Sequence, residues 1–324
     1  MRVMLLYKAK ENVPLQVMWN ALGKNCHIDK VPIGHYEFKN FNTFLRSLSF
    51  CDYDRILVDQ TIGRLGSRYR SLRMIPNLVL RDQDACQNFI PSSPLHMRLA
   101  TVYKDIANVR VIVPNKTCEQ YFQGLGIDCK YLPKAVDPNR IYTTGCVRDI
   151  KYGFIGRIKH DAYRERRKFL ETLSRRVKLS VLRTSVGDDE EYNSVLNRIR
   201  FFISADIGFN EYMYKNFEAM CAGCVLVAKR QPNIEQKALG FIDMENIVLY
   251  DDVGECIDKL TILDKDNDLA DRIAVNGRSL VINYHTLEQR GKTLFDLLVP
   301  SIHPAKMPGW WEKVYRLKLS RWPL

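Results

Sequence analysis

The feature that most restricts how this chain can fold is a recurring one. Short apolar runs rich in β-branched residues appear in two series, "RVMLLY", "DRILVDQ", "NLVLRD" and "VRVIVPN", then "KYGFIG", "VKLSVL", "RFFISA", "CVLVA" and "NIVLY", with helix-forming stretches between them. A strand covered on both faces reads as a continuous apolar run, and such strands joined through helices make parallel sheets. The expected class is α/β, with two successive Rossmann-like domains. "YLPKAVDPNRIYTTGCVRDIKYG", with its prolines and glycine and little periodicity, reads as the crossing between them. That places one domain over residues 1–147, a second over 148–290, and a helix with a basic aromatic tail over 291–324. In open α/β sheets ligands collect beyond the carboxyl ends of the strands, so the two domains are expected to face each other across a ligand cleft.

The net charge of +12 calls for an anionic partner but does not choose among nucleic acid, phosphate-rich ligands and a membrane surface. Nucleic acid is the least supported, since no zinc-finger spacing, aromatic RNA-binding signature or recognition helix is visible. No apolar run approaches the ~20 residues of a spanning helix, and the chain start lacks a cleavable leader pattern, so the protein is expected in the cytoplasm. Nine cysteines without a framework spacing fit a reducing compartment. Cys221 and Cys224 form a C-x-x-C, but with no second pair or histidine nearby it reads as helix-to-strand packing, and no metal site is expected.

In the second series a strand ends at Gly156 and is followed by Arg157 and Lys159. A glycine there lets an anion approach the backbone and the cations neutralise it, which fits a phosphate or diphosphate; solvated loop charges are the plain alternative. Further on, "NEYMYKNFEAMCAGCVLVAKR" reads as a helix from about Tyr212 to Ala222, closed by Gly223 in a left-handed conformation. Phe217, Met220 and Cys221 fall on its sheet-facing stripe. Glu218 lies beside that stripe, where its carboxylate can accept two hydrogen bonds from a vicinal diol such as a ribose, or simply pair with Lys215 one turn earlier.

The order of strand, "GR", lysine, acidic loop, "FEAMCAGCVLVA", "NIVLYDD" and "NGRSLVINYHTLEQR" resembles the carboxyl-terminal domain of retaining glycosyltransferases of the group 1, or family 4, type, nearest the CgeB-like subgroup. "VRVIVPNKTCEQYFQGLGIDCKYLPKAVDPNRIY" is similar to the approach to the interdomain linker in the same enzymes. The resemblance implies the GT-B fold, a nucleoside-diphosphate-sugar as donor, a saccharide or lipid-linked acceptor, no metal or other cofactor, and a place in cell-surface polysaccharide or lipopolysaccharide synthesis. It implies that Arg157 and Lys159 hold the donor diphosphate beside Gly156, helped by a helix amino terminus near Asn210, and that Glu218 holds the donor ribose. The family's two-glutamate signature puts its first acid where this chain has Asn210, with Glu211 one place late. A sugar-nucleotide epimerase or hydrolase of the same fold is the rival reading.

In the first series, Asp82 and Asp84 follow a strand. Literally they form Asp-x-Asp, a metal motif in another glycosyltransferase fold, but acceptor binding or deprotonation, or plain loop capping, fits them better. Arg64 and Arg68, in a glycine-containing basic loop, are candidates for a phosphorylated acceptor. In the tail, Trp310, Trp311, Lys313 and Arg316 combine aromatic and basic character suited to the headgroup region of an anionic bilayer, with packing onto the first domain as the alternative.

Overall fold

The computed structural model describes residues 1–9, 15–182 and 189–303. The chain divides into two compact units, one of residues 1–133 with 290–324 and one of residues 134–289.

The first unit holds six parallel strands, β1 (Arg2–Lys8), β2 (His27–Ile33), β3 (Arg55–Asp59), β4 (Leu78–Arg81), β5 (Val109–Val113) and β6 (Cys129–Tyr131), in the order β2-β1-β3-β4-β5-β6. The central strands are those with unbroken apolar runs: β4 and β5 are buried along their whole length. The edge strand β2 has only Ile33 buried, so no apolar run marks "HIDKVPI" in the sequence.

The second unit holds β7 (Ile150–Ile155), β8 (Leu179–Leu182), β9 (Ile199–Ser204), β10 (Val225–Lys229) and β11 (Val248–Tyr250), all parallel, in the order β11-β10-β9-β7-β8. The strand order reverses between β7 and β9. In a doubly wound sheet the loops after those two strands diverge to opposite faces and leave a crevice, so ligand chemistry is expected there.

The division at 133/134 falls within the crossing read from the sequence, upstream of the boundary at 147/148 placed there. Residues 134–149 belong to the second unit because their side chains are spent there: Ile141 is fully buried, Val136 bridges Thr286, and Arg148 donates to the carbonyls of Ile199 and Ala222 at 2.6 Å each. The far end of the chain returns to the first unit for a comparable reason. Arg55 on β3 and Arg110 on β5 donate to the carbonyls of Leu297, Leu298, Val299, Pro300 and Ser301, satisfying the last turn of the Leu287–Leu298 helix that has no partners of its own. Arg110 is 1% exposed and also grips Asp128, so this terminus is held by a buried charged cluster rather than by apolar contact alone.

Gly291 carries that return. A Cβ there would sit 2.5 Å from the Met18 carbonyl oxygen, 2.5 Å from the Ala21 Cβ and 2.9 Å from the Leu22 nitrogen. Backbone atoms cannot step aside as a side-chain end can, so Gly291→Ala is expected to cost about 1–3 kcal/mol of stability, read as a lowered melting temperature. The tail residues Trp310, Trp311, Lys313 and Arg316 lie outside the described residues.

Candidate active site

The β7 end, the loop after β9 and the helix Tyr214–Cys221 build the site in the second unit. Phe154 turns its ring under Gly156, leaving no space for a Cβ: one would lie 2.5 Å from the ring. The chain therefore passes Gly156 with a bare backbone and opens into Arg157 and Lys159, both exposed. The plain reading of these as loop charges and the reading as anion contacts share this exposure.

What fixes the loop is Arg166, in the Arg164–Ser174 helix. Its guanidinium donates to the Arg157 carbonyl at 3.2 Å, to the Ala205 carbonyl at 2.9 Å and to the Asp206 carboxylate at 2.9 Å, and lies over the rings of Tyr163 and Phe209. One buried side chain thus ties the loop after β7 to the loop after β9. Asp206 completes the tie: it accepts from the Ser204 hydroxyl at 3.1 Å, the Met213 amide at 3.3 Å and the Asn216 amide group at 2.8 Å. Those last two bonds set where the helix begins. The sequence reading put a helix amino terminus near Asn210, but the helix starts at Tyr214 with Met213 as its cap, because Asn210 takes a left-handed φ of 56° and the chain turns there.

Glu218 is 9% exposed. Arg140 donates to its Oε1 at 3.0 Å and the Tyr192 hydroxyl to its Oε2 at 2.6 Å. Burial, then the Glu218 charge, pushes the Tyr192 phenol well above its ordinary range, so it stays a donor. The carboxylate is therefore oriented from beyond the helix and does not simply pair with Lys215. A carboxylate has about four acceptor sites, so two remain for a diol. Arg140 also pairs with Asp189, at the start of the Asp189–Arg198 helix.

Glu211 stands elsewhere. It is 0% exposed and its Oε1 takes the Lys134 ammonium at 2.5 Å. The acid one place late is thus committed to an internal ion pair, and Asn210, partly exposed, holds the more open position. Cys221 and Cys224 donate to the carbonyls of Ile141 and Leu196, and burial raises their thiols to about 12 and about 11 respectively, consistent with packing rather than thiolate chemistry.

In the first unit Asp82 and Asp84 have different surroundings. Asp82 is 1% exposed and takes hydrogen bonds from the Tyr103 hydroxyl at 2.9 Å, the Asp84 amide at 3.1 Å and the Ile62 amide at 3.4 Å. It is enclosed, and what it does is hold the loops after β3 and β4 together. Asp84 is exposed. Burial, then the Asp84 charge, raises the Asp82 carboxyl to about 7. Because the folded value exceeds the unfolded one near ~4, the stability this group contributes is full below about pH 4 and is lost as pH rises through about 7. Urea unfolding is expected to show that decline, at most about 1.4 kcal/mol per pH unit, and Asp82→Asn to flatten it. Arg64 and Arg68 both lie against the Phe38 ring, at 4.7 and 5.0 Å from its centroid. Among the described residues no group of three or more His, Cys, Asp or Glu is gathered as a metal site. No helix among them is long and apolar enough to cross a membrane.

A parallel sheet whose strand order reverses between β7 and β9 defines a doubly wound α/β unit, and the chain holds two parallel α/β sheets. Residues 164–296 match the model of the family described as glycosyl transferase-like. The match takes in Arg166, Asp206, Lys215 and Glu218 and begins after Arg157 and Lys159. No curated protein matches the chain in sequence. Among solved structures, sucrose-phosphate synthase from Thermosynechococcus elongatus is similar with a TM-score of 0.64 and 13% identity, over 99% of this chain and 99% of that one. HepE from Anabaena, in complex with UDP-glucose, gives 0.63 and 12% over 92% of this chain and 99% of that one. The DNA modifying enzyme beta-glucosyltransferase, studied with and without its substrate uridine diphosphoglucose, gives 0.57 and 9% over 93% of this chain and 100% of that one. The likeness establishes the fold as the GT-B type, two Rossmann-like domains in one chain.

Four contributors were not singled out in the sequence: Arg140, Tyr192, Lys134 and Arg166. Arg166 did leave a signal, because it falls three, four and seven residues before Phe169, Leu170 and Leu173 and so shares their buried helix face. The others join segments far apart in the chain and leave none.

Proposed function

We propose that the protein is a glycosyltransferase that moves a sugar from a nucleoside-diphosphate-sugar to a saccharide or lipid-linked acceptor. The observation that carries this is Glu218: a preoriented, nearly buried carboxylate with acceptor sites to spare, beside an exposed arginine loop, at the strand reversal of a segment matching the glycosyl transferase-like family. Glu218 receives the ribose hydroxyls. Arg157 and Lys159 face the diphosphate and neutralise charge as it leaves, so catalysis is placement plus electrostatic stabilisation. HepE with its UDP-glucose and the beta-glucosyltransferase with its uridine diphosphoglucose support a sugar nucleotide as donor. In this reading the reaction proceeds with retention and without a metal, in the manner of the family 4 enzymes the sequence resembles, and serves surface polysaccharide or lipopolysaccharide synthesis.

On the acceptor side Asp84, exposed beyond β4, is the carboxylate for the acceptor hydroxyl, and Arg64 with Arg68 meet any phosphate on it. Asp84→Asn is expected to lower turnover while leaving donor affinity unchanged. The primary test is calorimetric titration with UDP, GDP, CMP and their common sugar conjugates, with and without EDTA. One nucleotide class should bind in both conditions; absence of binding by every nucleotide would sink the reading.

A further inference from the structure

Lys215 occupies the first turn of the Tyr214–Cys221 helix, yet its side chain reaches the neighbouring strand end, where Nζ donates to the Ile155 carbonyl at 3.1 Å. Ile155 is the last residue of β7, directly before Gly156 and Arg157. An ammonium carries three N–H donors and accepts nothing. One donor is used here, and Lys215 makes no ion pair among the described residues.

The charges that face it come from every neighbouring element: Glu218 on its own helix, Arg157 after β7, Arg166 on the helix that follows, and Asp206 after β9. The two acids are already engaged, Glu218 by Arg140 and Tyr192, Asp206 by Arg166, Ser204 and Asn216. A partly buried cation beside two arginines feels both carboxylates, yet among the described residues it makes a direct ion pair with neither.

We infer that Lys215 is a direct anion ligand of this site, donating its two remaining N–H bonds to the phosphoryl oxygens of the donor diphosphate alongside Arg157. The inference rests on the donor reading above and adds a residue that reading does not need. Geometry gives the reason: the ammonium is anchored at the carboxyl end of β7, where Gly156 leaves the backbone open to an anion. Titration follows from it. Burial pushes Lys215 down to about 8, against the raising effect of Glu218. A bound anion restores the charged form, so affinity is full below about pH 8 and falls as pH rises above it.

The test is calorimetry with UDP or GDP, whichever binds, and with inorganic pyrophosphate, on the wild type, Lys215→Met and Lys215→Arg. The pH arm uses the nucleotide between about pH 7.5 and about pH 9, where its phosphates, ionising near ~6, keep constant charge. Wild-type affinity is expected to drop about fivefold to tenfold across that window and Lys215→Arg, which stays charged, to show no drop. At pH 7.5 Lys215→Met should bind about 10–100-fold more weakly, with an unchanged or higher melting temperature because a largely desolvated cation without a direct ion pair has gone. Equal binding by wild type and Lys215→Met, or a pH drop that persists in Lys215→Arg, overturns the inference and leaves the donor reading standing. Pyrophosphate binding lost in Lys215→Met, with no nucleotide bound by the wild type, keeps the anion site and removes the donor reading. If neither probe binds the wild type, both fall.

Discussion

Replacing Glu218 by alanine is expected to weaken binding of the donor nucleotide by about 2–4 kcal/mol, roughly 30-fold to 1,000-fold. The loss has two sources: the charge-assisted bonds to the ribose hydroxyls disappear, and Arg140 and Tyr192 lose the group they hold in place. A nucleotide lacking a ribose hydroxyl separates these. The wild type should bind the 2′- or 3′-deoxy form more weakly than the parent, whereas Glu218→Ala should bind the two alike. If the mutant discriminates as well as the wild type, Glu218 is only a strut between helices, and the ribose is read by other groups.

The second large effect is on Arg166. Arg166→Met removes one partner of a buried ion pair and leaves the Asp206 charge without its cation, so a loss of about 3–5 kcal/mol of unfolding free energy is expected. Adding Asp206→Asn should return part of that loss, because the uncompensated charge then goes as well. The coupling in this double-mutant cycle is the quantity to measure by urea unfolding. Since Arg166 also carries the Arg157 carbonyl, turnover should fall in the single mutant more than stability alone explains at a temperature where it remains folded.

Much of the architecture was legible because central strands of parallel sheets must be apolar on both faces, and that leaves a mark in one dimension. Nine runs read as strands are strands. The two strands not among the runs first read as strands differ for physical reasons: β2 lies at the sheet edge with only Ile33 buried, and β6 has three residues, Cys129–Tyr131, too few for a pattern. The helix around Glu218 was readable from its buried stripe, and Gly223, with φ at 79°, ends it as expected. Its start was not readable, since Asp206 and the left-handed turn at Asn210 decide it, and neither is a local helix signal.

The sequence by itself determined the α/β class, the two parallel sheets, and which strand end carries Gly156, Arg157 and the neighbourhood of Glu218, because periodicity and glycine placement are local properties of the chain. Only the tertiary structure decided which charges are free to act. It closed Glu211 onto Lys134, enclosed Asp82 beneath Tyr103, turned Arg140 and Tyr192 onto Glu218, and left Lys215 at the β7 end with no direct ion pair among the described residues. Charge pairing is a matter of distance between residues that are 21 to 78 positions apart in these bonds, and nothing in a linear order of residues fixes such distances.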